Sequence, residues 1–142
     1  MTKLKFMAAV VALGLCVSGC VKERYVGLYI NPISELYQNL GAANDRQAIT
    51  QTDENFSFVY TITKKEGNTY HIEGVATPLF HQLRYDQIDL HLMLIGNLRI
   101  VRYIRVPALY SSMNSEFKFS KDFEVTEPFT QSYLDYQVKY SF

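Results

Sequence analysis

The strongest constraint in this sequence is a period of two. Phe56, Phe58, Tyr60 and Ile62 alternate with Ser57, Val59, Thr61 and Thr63, and Leu134, Tyr136, Val138, Tyr140 and Phe142 repeat the pattern at the end of the chain. Successive side chains of a β-strand point to opposite faces, so this alternation predicts strands with one packed face. Lys65-Glu66-Gly67-Asn68 supplies a turn after the first run, and Tyr70, Ile72 and Val75 continue on a returning strand. A second hairpin is expected from 87–95 and 98–106 around Gly96-Asn97, the kind of two-residue connection whose positive φ matches strand twist. Pro107 blocks its continuation. Ile88, Leu90, Leu92 and Leu94 share one face of this hairpin while Met93 and Ile95 share the other, which predicts a central strand covered on both sides. The stretch 108–115 reads as a loop, and Phe117, Phe119, Phe123 and Val125 as an irregular strand.

About six short strands separated by turns, with little helical patterning, predict a mainly β fold: an antiparallel β-sandwich with one short N-terminal helix. That helix opens at Asn31-Pro32, carries Ile33, Leu36, Tyr37 and Leu40 at i, i+3, i+4 and i+7, and stops at Gly41. Its polar face lacks the Lys and Arg of an interfacial helix, so it is expected to pack on the domain's own core. The polar stretch 42–55 has no steady period and reads as a loop or linker. A chain of 142 residues fits one compact domain. Its 11 Tyr and 9 Phe argue against disorder, because disordered chains are poor in aromatic residues. Lys and Arg total 14 against 14 Asp and Glu, which leaves no basic surface to neutralise phosphates and excludes nucleic acid as the expected partner.

The first residues follow a different logic. Met1-Thr2-Lys3-Leu4-Lys5-Phe6 is charged, the run 7–17 is apolar, and Ser18-Gly19-Cys20 follows. This is the order of an export signal, and the run is too short for the roughly 20 apolar residues of a permanent span. Val17-Ser18-Gly19-Cys20 resembles the lipobox of bacterial lipoproteins. The resemblance implies cleavage before Cys20, a thioether-linked diacylglycerol on its sulfur, further acylation of its amine, and a domain held at a membrane surface. Val21 in the next position resembles the outer-membrane-sorted pattern, so the expected location is the cell envelope, facing the periplasm. The organisation expected is a signal peptide over 1–19, a lipidated tether, short helix and linker over 20–54, and a β-sandwich over 55–142. Cys16 leaves with the leader, so no disulfide or thiolate metal site is expected in the mature chain. With Lys3 and Lys5 also removed, the mature part keeps 12 basic and 14 acidic side chains.

The order Phe56-Ser57-Phe58-Val59-Tyr60, Tyr70-His71-Ile72-Glu73-Gly74-Val75, an apolar hairpin and a late Phe-rich strand resembles small immunoglobulin-like sandwich modules of bacterial envelope proteins. No functional residue carries over from them.

Chemistry is sparsely signalled. There is no Gly-x-Ser-x-Gly, no Gly-x-x-x-x-Gly-Lys phosphate loop, no His-Glu-x-x-His and no calcium loop, so no enzyme, metal or cofactor is expected. A two-residue turn at Gly96-Asn97 would set His91 across from Arg102, with Asp89 diagonal to it. This polar cluster of Asp89, His91 and Arg102 is either an anion site or an ordinary cross-strand ion pair. His71, His81 and His91 fit no short metal motif, and His71 shares its face with Glu73 in an exposed row. Arg99 and Arg105 point to the face opposite Arg102, so the three make no continuous patch for lipid. The expected function is a non-enzymatic interaction or scaffold module that docks an envelope partner through a sheet edge or aromatic face. The alternative is a carrier of lipid or a small apolar ligand, with a cavity lined by Phe58, Leu90 and Leu92. The terminal Tyr140-Ser141-Phe142 resembles the last aromatic of outer-membrane barrels, but six strands fall short of the eight such a barrel needs.

Overall fold

The computed structural model describes residues 25–38, 40–43, 46–80, 85–111, 113 and 115–140. The leader, Cys20 and His81 lie outside them. The six strands expected from the period are present: β3 (Phe56–Lys64), β4 (Thr69–Pro78), β5 (Tyr85–Gly96), β6 (Arg99–Val106), β8 (Glu116–Glu124) and β9 (Gln131–Tyr140). Three shorter ones join them, β1 (Gly41–Ala42), β2 (Ile49–Thr52) and β7 (Ala108–Ser111). All pairings are antiparallel, in a four-stranded sheet of order β1-β9-β5-β6 and a five-stranded sheet of order β2-β3-β4-β8-β7.

The two sheets face each other across one core. Phe56, Phe58, Tyr60 and Ile62 from β3 meet Leu90, Leu92, Leu94 and Leu134 from the opposite sheet, with Phe117, Phe119 and Phe123 beside them. Ser57, Thr61 and Thr63 alternate outward as the period requires. Tyr136 reaches across the core, its ring 5.2 Å from Phe56 and 5.1 Å from Phe58. Burying one such aromatic stabilises by roughly 1.5–3 kcal/mol, so this row carries much of the fold.

Two stretches expected as loops are strands. β2 lies inside the polar stretch 42–55 and pairs with β3, while β7 follows Pro107 directly and pairs with β8. The sandwich therefore begins before residue 55, and β1 joins it by pairing with β9. These strands are two to four residues long, too short to display a period. Pro107 ends the pairing with β5 and hands the chain to the opposite sheet.

β5 is central, between β9 and β6, and its outer face is also covered. Met93 and Ile95 form a second small core with Ile30 and Ile100, against which Leu36, Tyr37 and Leu40 pack. The helix is one turn, α1 (Glu35–Gln38), shorter than the apolar spacing suggested. Asn31 does not cap it. Its Oδ1 accepts from the Ile33 N–H and its carbonyl from the Ser34 N–H, which makes a turn, and Ser34 Oγ caps the helix by accepting from the Tyr37 N–H at 3.2 Å. Ile33 is thus left outside the packed stripe.

Candidate functional site

Four outward-facing positions of the four-stranded sheet bring the polar residues of the β5–β6 hairpin together, but in a different register from the one expected. Asn97 and Leu98 both have positive φ, +52° and +61°, so the two-residue turn sits one position later than Gly96-Asn97. A bulge then shifts the register between Leu94 and Ile95. The combined slip sets Arg105 across from His91, while Arg102 lies across from Leu94. Asp89 and Arg105 form the ion pair, Oδ1 to Nε at 2.9 Å, and the Arg102 guanidinium donates to the Glu124 carbonyl of the opposite sheet. Asp89 and His91 keep their places, and Arg105 replaces Arg102 as the basic partner of Asp89.

His91 stacks on Tyr103, ring centroids 4.7 Å apart and nearly parallel, and Tyr25 meets the same ring edge-on at 5.0 Å. The Tyr103 hydroxyl donates to Asp135 at 2.5 Å, and Asp135 is the cross-strand neighbour of His91. Asp135 carries no local sequence signal, since only the β5–β9 pairing of distant segments reveals it, whereas Tyr103 comes to His91 through the shifted register of the β5–β6 hairpin itself. The Asp89–Arg105 pair is exposed, and exposed pairs of this kind contribute about 0–1 kcal/mol.

The outer face of the five-stranded sheet holds the second polar cluster. His71 lies between two carboxylates, Nδ1 to Asp122 at 2.6 Å and Nε2 to Glu73 at 3.1 Å, and Lys65 Nζ stands 3.5 Å from the other Asp122 oxygen. The exposed row of His71 and Glu73 is as the alternation of β4 implies. Asp122 comes from β8, opposite His71 in the ladder. The bond from His71, with Lys65 acting in the same direction, holds the Asp122 carboxyl below its ordinary value. Among the described residues no group of three or more His, Cys, Asp or Glu is arranged to hold a metal ion.

Beside this cluster lies an open groove of about 520 Å³ whose rim includes Val59, His71, Glu73, Leu109 and Lys118. Gly74 lies along its floor, and a Cβ there would stand 2.4 Å from the Val59 carbonyl and 2.8 Å from the Phe119 ring. That close approach draws the three central strands together. Leu109, on the end strand β7, is 77% exposed, and its neighbours Tyr110 and Met113 are exposed as well. β7 carries no charged residue. Phe58, Leu90 and Leu92, expected to line a ligand cavity, are fully buried and packed in one cluster.

No described helix is long and apolar enough to cross a membrane. The chain matches no known protein family, no curated protein and no solved structure.

Proposed function

We propose that the chain is a lipid-anchored module of a bacterial cell envelope, held at the outer membrane through Cys20 and facing the periplasm, and that it works by docking an extended segment of an envelope partner. The anchor rests on the order of charged start, short apolar run and Val17-Ser18-Gly19-Cys20. The observation that carries the docking is Leu109: an exposed apolar side chain on an uncharged end strand, at the rim of an open groove. An end strand presents unpaired backbone groups to a partner strand, and a neighbouring groove reads alternate side chains. Charged residues and prolines normally guard such an edge, and β7 has neither.

The test uses the full chain in its own cells, with a photoreactive amino acid at Leu109 or, as a control on the other sheet, at Gln137. The expected result is one defined adduct from position 109, absent from 137 and abolished by Val59→Asp in the groove. Equal labelling at both positions, or none at 109, overturns the docking reading. Mass spectrometry of the processed N-terminal peptide tests the anchor: an unmodified Cys20 sulfur overturns it.

A further inference from the structure

Four residues separate Cys20 from Tyr25, where the described chain begins. An extended chain spans at most ~3.6 Å per residue, so Tyr25 stands within about 18 Å of Cys20 whatever path the intervening residues take. The start of segment 25–33 is therefore held close to an anchor placed on Cys20.

Among the described residues, five exposed large apolar side chains fall within that segment, Tyr25, Val26, Leu28, Tyr29 and Ile33. Val26, Leu28 and Tyr29 are about half exposed, and Ile33 is 83% exposed. They are also held in place. The Gly27 N–H donates to the Ile100 carbonyl at 2.7 Å, the Ile100 N–H to Leu28 at 2.9 Å, and the Ile30 N–H to Leu98 at 2.6 Å, so the segment extends the edge of β6 while Ile30 is buried beneath it. Backbone pairing of this kind keeps Leu28 and Tyr29 from folding inward. Arg99 completes the surface: its guanidinium lies 5.8 Å from the Tyr29 ring and donates to the Gly27 carbonyl.

We propose that segment 25–33, together with Arg99, rests on the surface of the bilayer that holds the anchor, with Leu28, Tyr29 and Ile33 seated at the boundary of headgroups and acyl chains. Tyrosine rings are favoured at that level because one end is apolar and the other polar. Arg99 faces anionic headgroups there. β6 carries the chain ~25 Å from Arg99 before it enters β7, at ~3.3 Å per residue, so the β7 edge lies about a strand's length along the chain from the seated segment.

This inference rests on the reading of Cys20 as the lipidated residue, and the experiment separates the two. The sequence contains no tryptophan, so Ile33→Trp introduces a single reporter at an exposed site. The lipidated full chain is reconstituted in phosphatidylethanolamine and phosphatidylglycerol vesicles with brominated acyl chains. Leu109→Trp serves as an equally apolar control, Tyr29→Trp as a second reporter, and circular dichroism confirms folding. The expected result is that the reporters at 33 and 29 lose most of their emission while the reporter at 109 keeps it. Equal quenching at all three, or none at 33 and 29, overturns the docking. Blue-shifted but unquenched emission at 33 assigns the patch to a protein partner or a second copy, and overturns it too. Mass spectrometry of the same preparation reads the acyl chains, so a missing anchor is distinguished from an anchored domain that stands free of the surface.

Discussion

The Gln51 carboxamide hydrogen-bonds the backbone of Leu134 at both ends, accepting from its N–H and donating to its carbonyl, each at 2.8 Å. Gln51 belongs to β2 of one sheet and Leu134 to β9 of the other, so a side chain stands in for a strand beyond Ser132, where the pairing with β1 does not reach. Leu134 is fully buried, and a buried backbone group left without a partner costs about 1–3 kcal/mol. Gln51→Ala is expected to lower stability by about that much. The check is urea unfolding, in which the midpoint falls while the slope is unchanged.

A second link between the sheets gives a prediction about alkaline pH. The Tyr60 hydroxyl and Ser132 Oγ are 2.8 Å apart in the core. Burial pushes the Tyr60 hydroxyl up to about 12, and the bond from Ser132 opposes this more weakly. The unfolded chain releases the same proton near 10. Stability from this group is therefore complete below pH ~10 and is lost as pH rises toward ~12, on the order of 3 kcal/mol in all. Tyr60→Phe should flatten that alkaline decline, read as the denaturation midpoint against pH. Tyr60→Phe and Ser132→Ala singly each leave one hydroxyl unpartnered. The double variant is expected to lie closer to the parent than the sum of the singles.

In the outer cluster it is Asp122, a carboxyl held below its ordinary value, that gives a prediction at acid pH. The His71 bond is the largest influence lowering Asp122, with Lys65 adding to it. A lowered carboxyl contributes above its unfolded value and loses that contribution as pH falls through the folded one. His71→Ala should raise the Asp122 titration toward the ordinary carboxylate range, and Lys65→Ala should raise it less. Carbon-detected NMR of the carboxyl reads both. Because the cluster is exposed to solvent, the unfolding midpoint is expected to move little.

The long strands of this fold were legible in the sequence because each buries one face, and burial writes itself as a period of two. Phe56 to Ile62 shows this most clearly. β1, β2 and β7 leave no such mark, because two to four residues cannot display a period. The row in β8 looked irregular because Lys121 occupies an inward position; its ammonium donates to the Arg105 carbonyl at 2.9 Å and so fills the gap at the β6 side. Of the candidate cluster, Asp89 and His91 were readable and their basic partner was not. Register depends on turn and bulge together, and a slip of either replaces every cross-strand neighbour. Asp122 and Asp135 had no local signal at all, since each reaches its histidine only through the pairing of distant strands.

That register rests on two choices at the hairpin tip, Gly96 and Leu98 on either side of Asn97, and they predict effects of opposite sign. Gly96 ends β5, and a Cβ placed on it would stand 2.3 Å from the Pro128 carbonyl oxygen. The glycine is there because another backbone crosses it. Gly96→Ala should cost about 1–3 kcal/mol, as overpacking of a rigid contact does. Leu98 holds φ at +61° in the second turn position, where a side chain costs roughly 1–2 kcal/mol and Asn-Gly is the favoured pair. Leu98→Gly gives up some contact of a half-buried leucine, so a net gain of about 0.5–1 kcal/mol is expected. Urea midpoints of the two variants decide the matter. If the turn lay at Gly96-Asn97, residue 98 would be a strand position, and glycine there would weaken the hairpin instead of strengthening it.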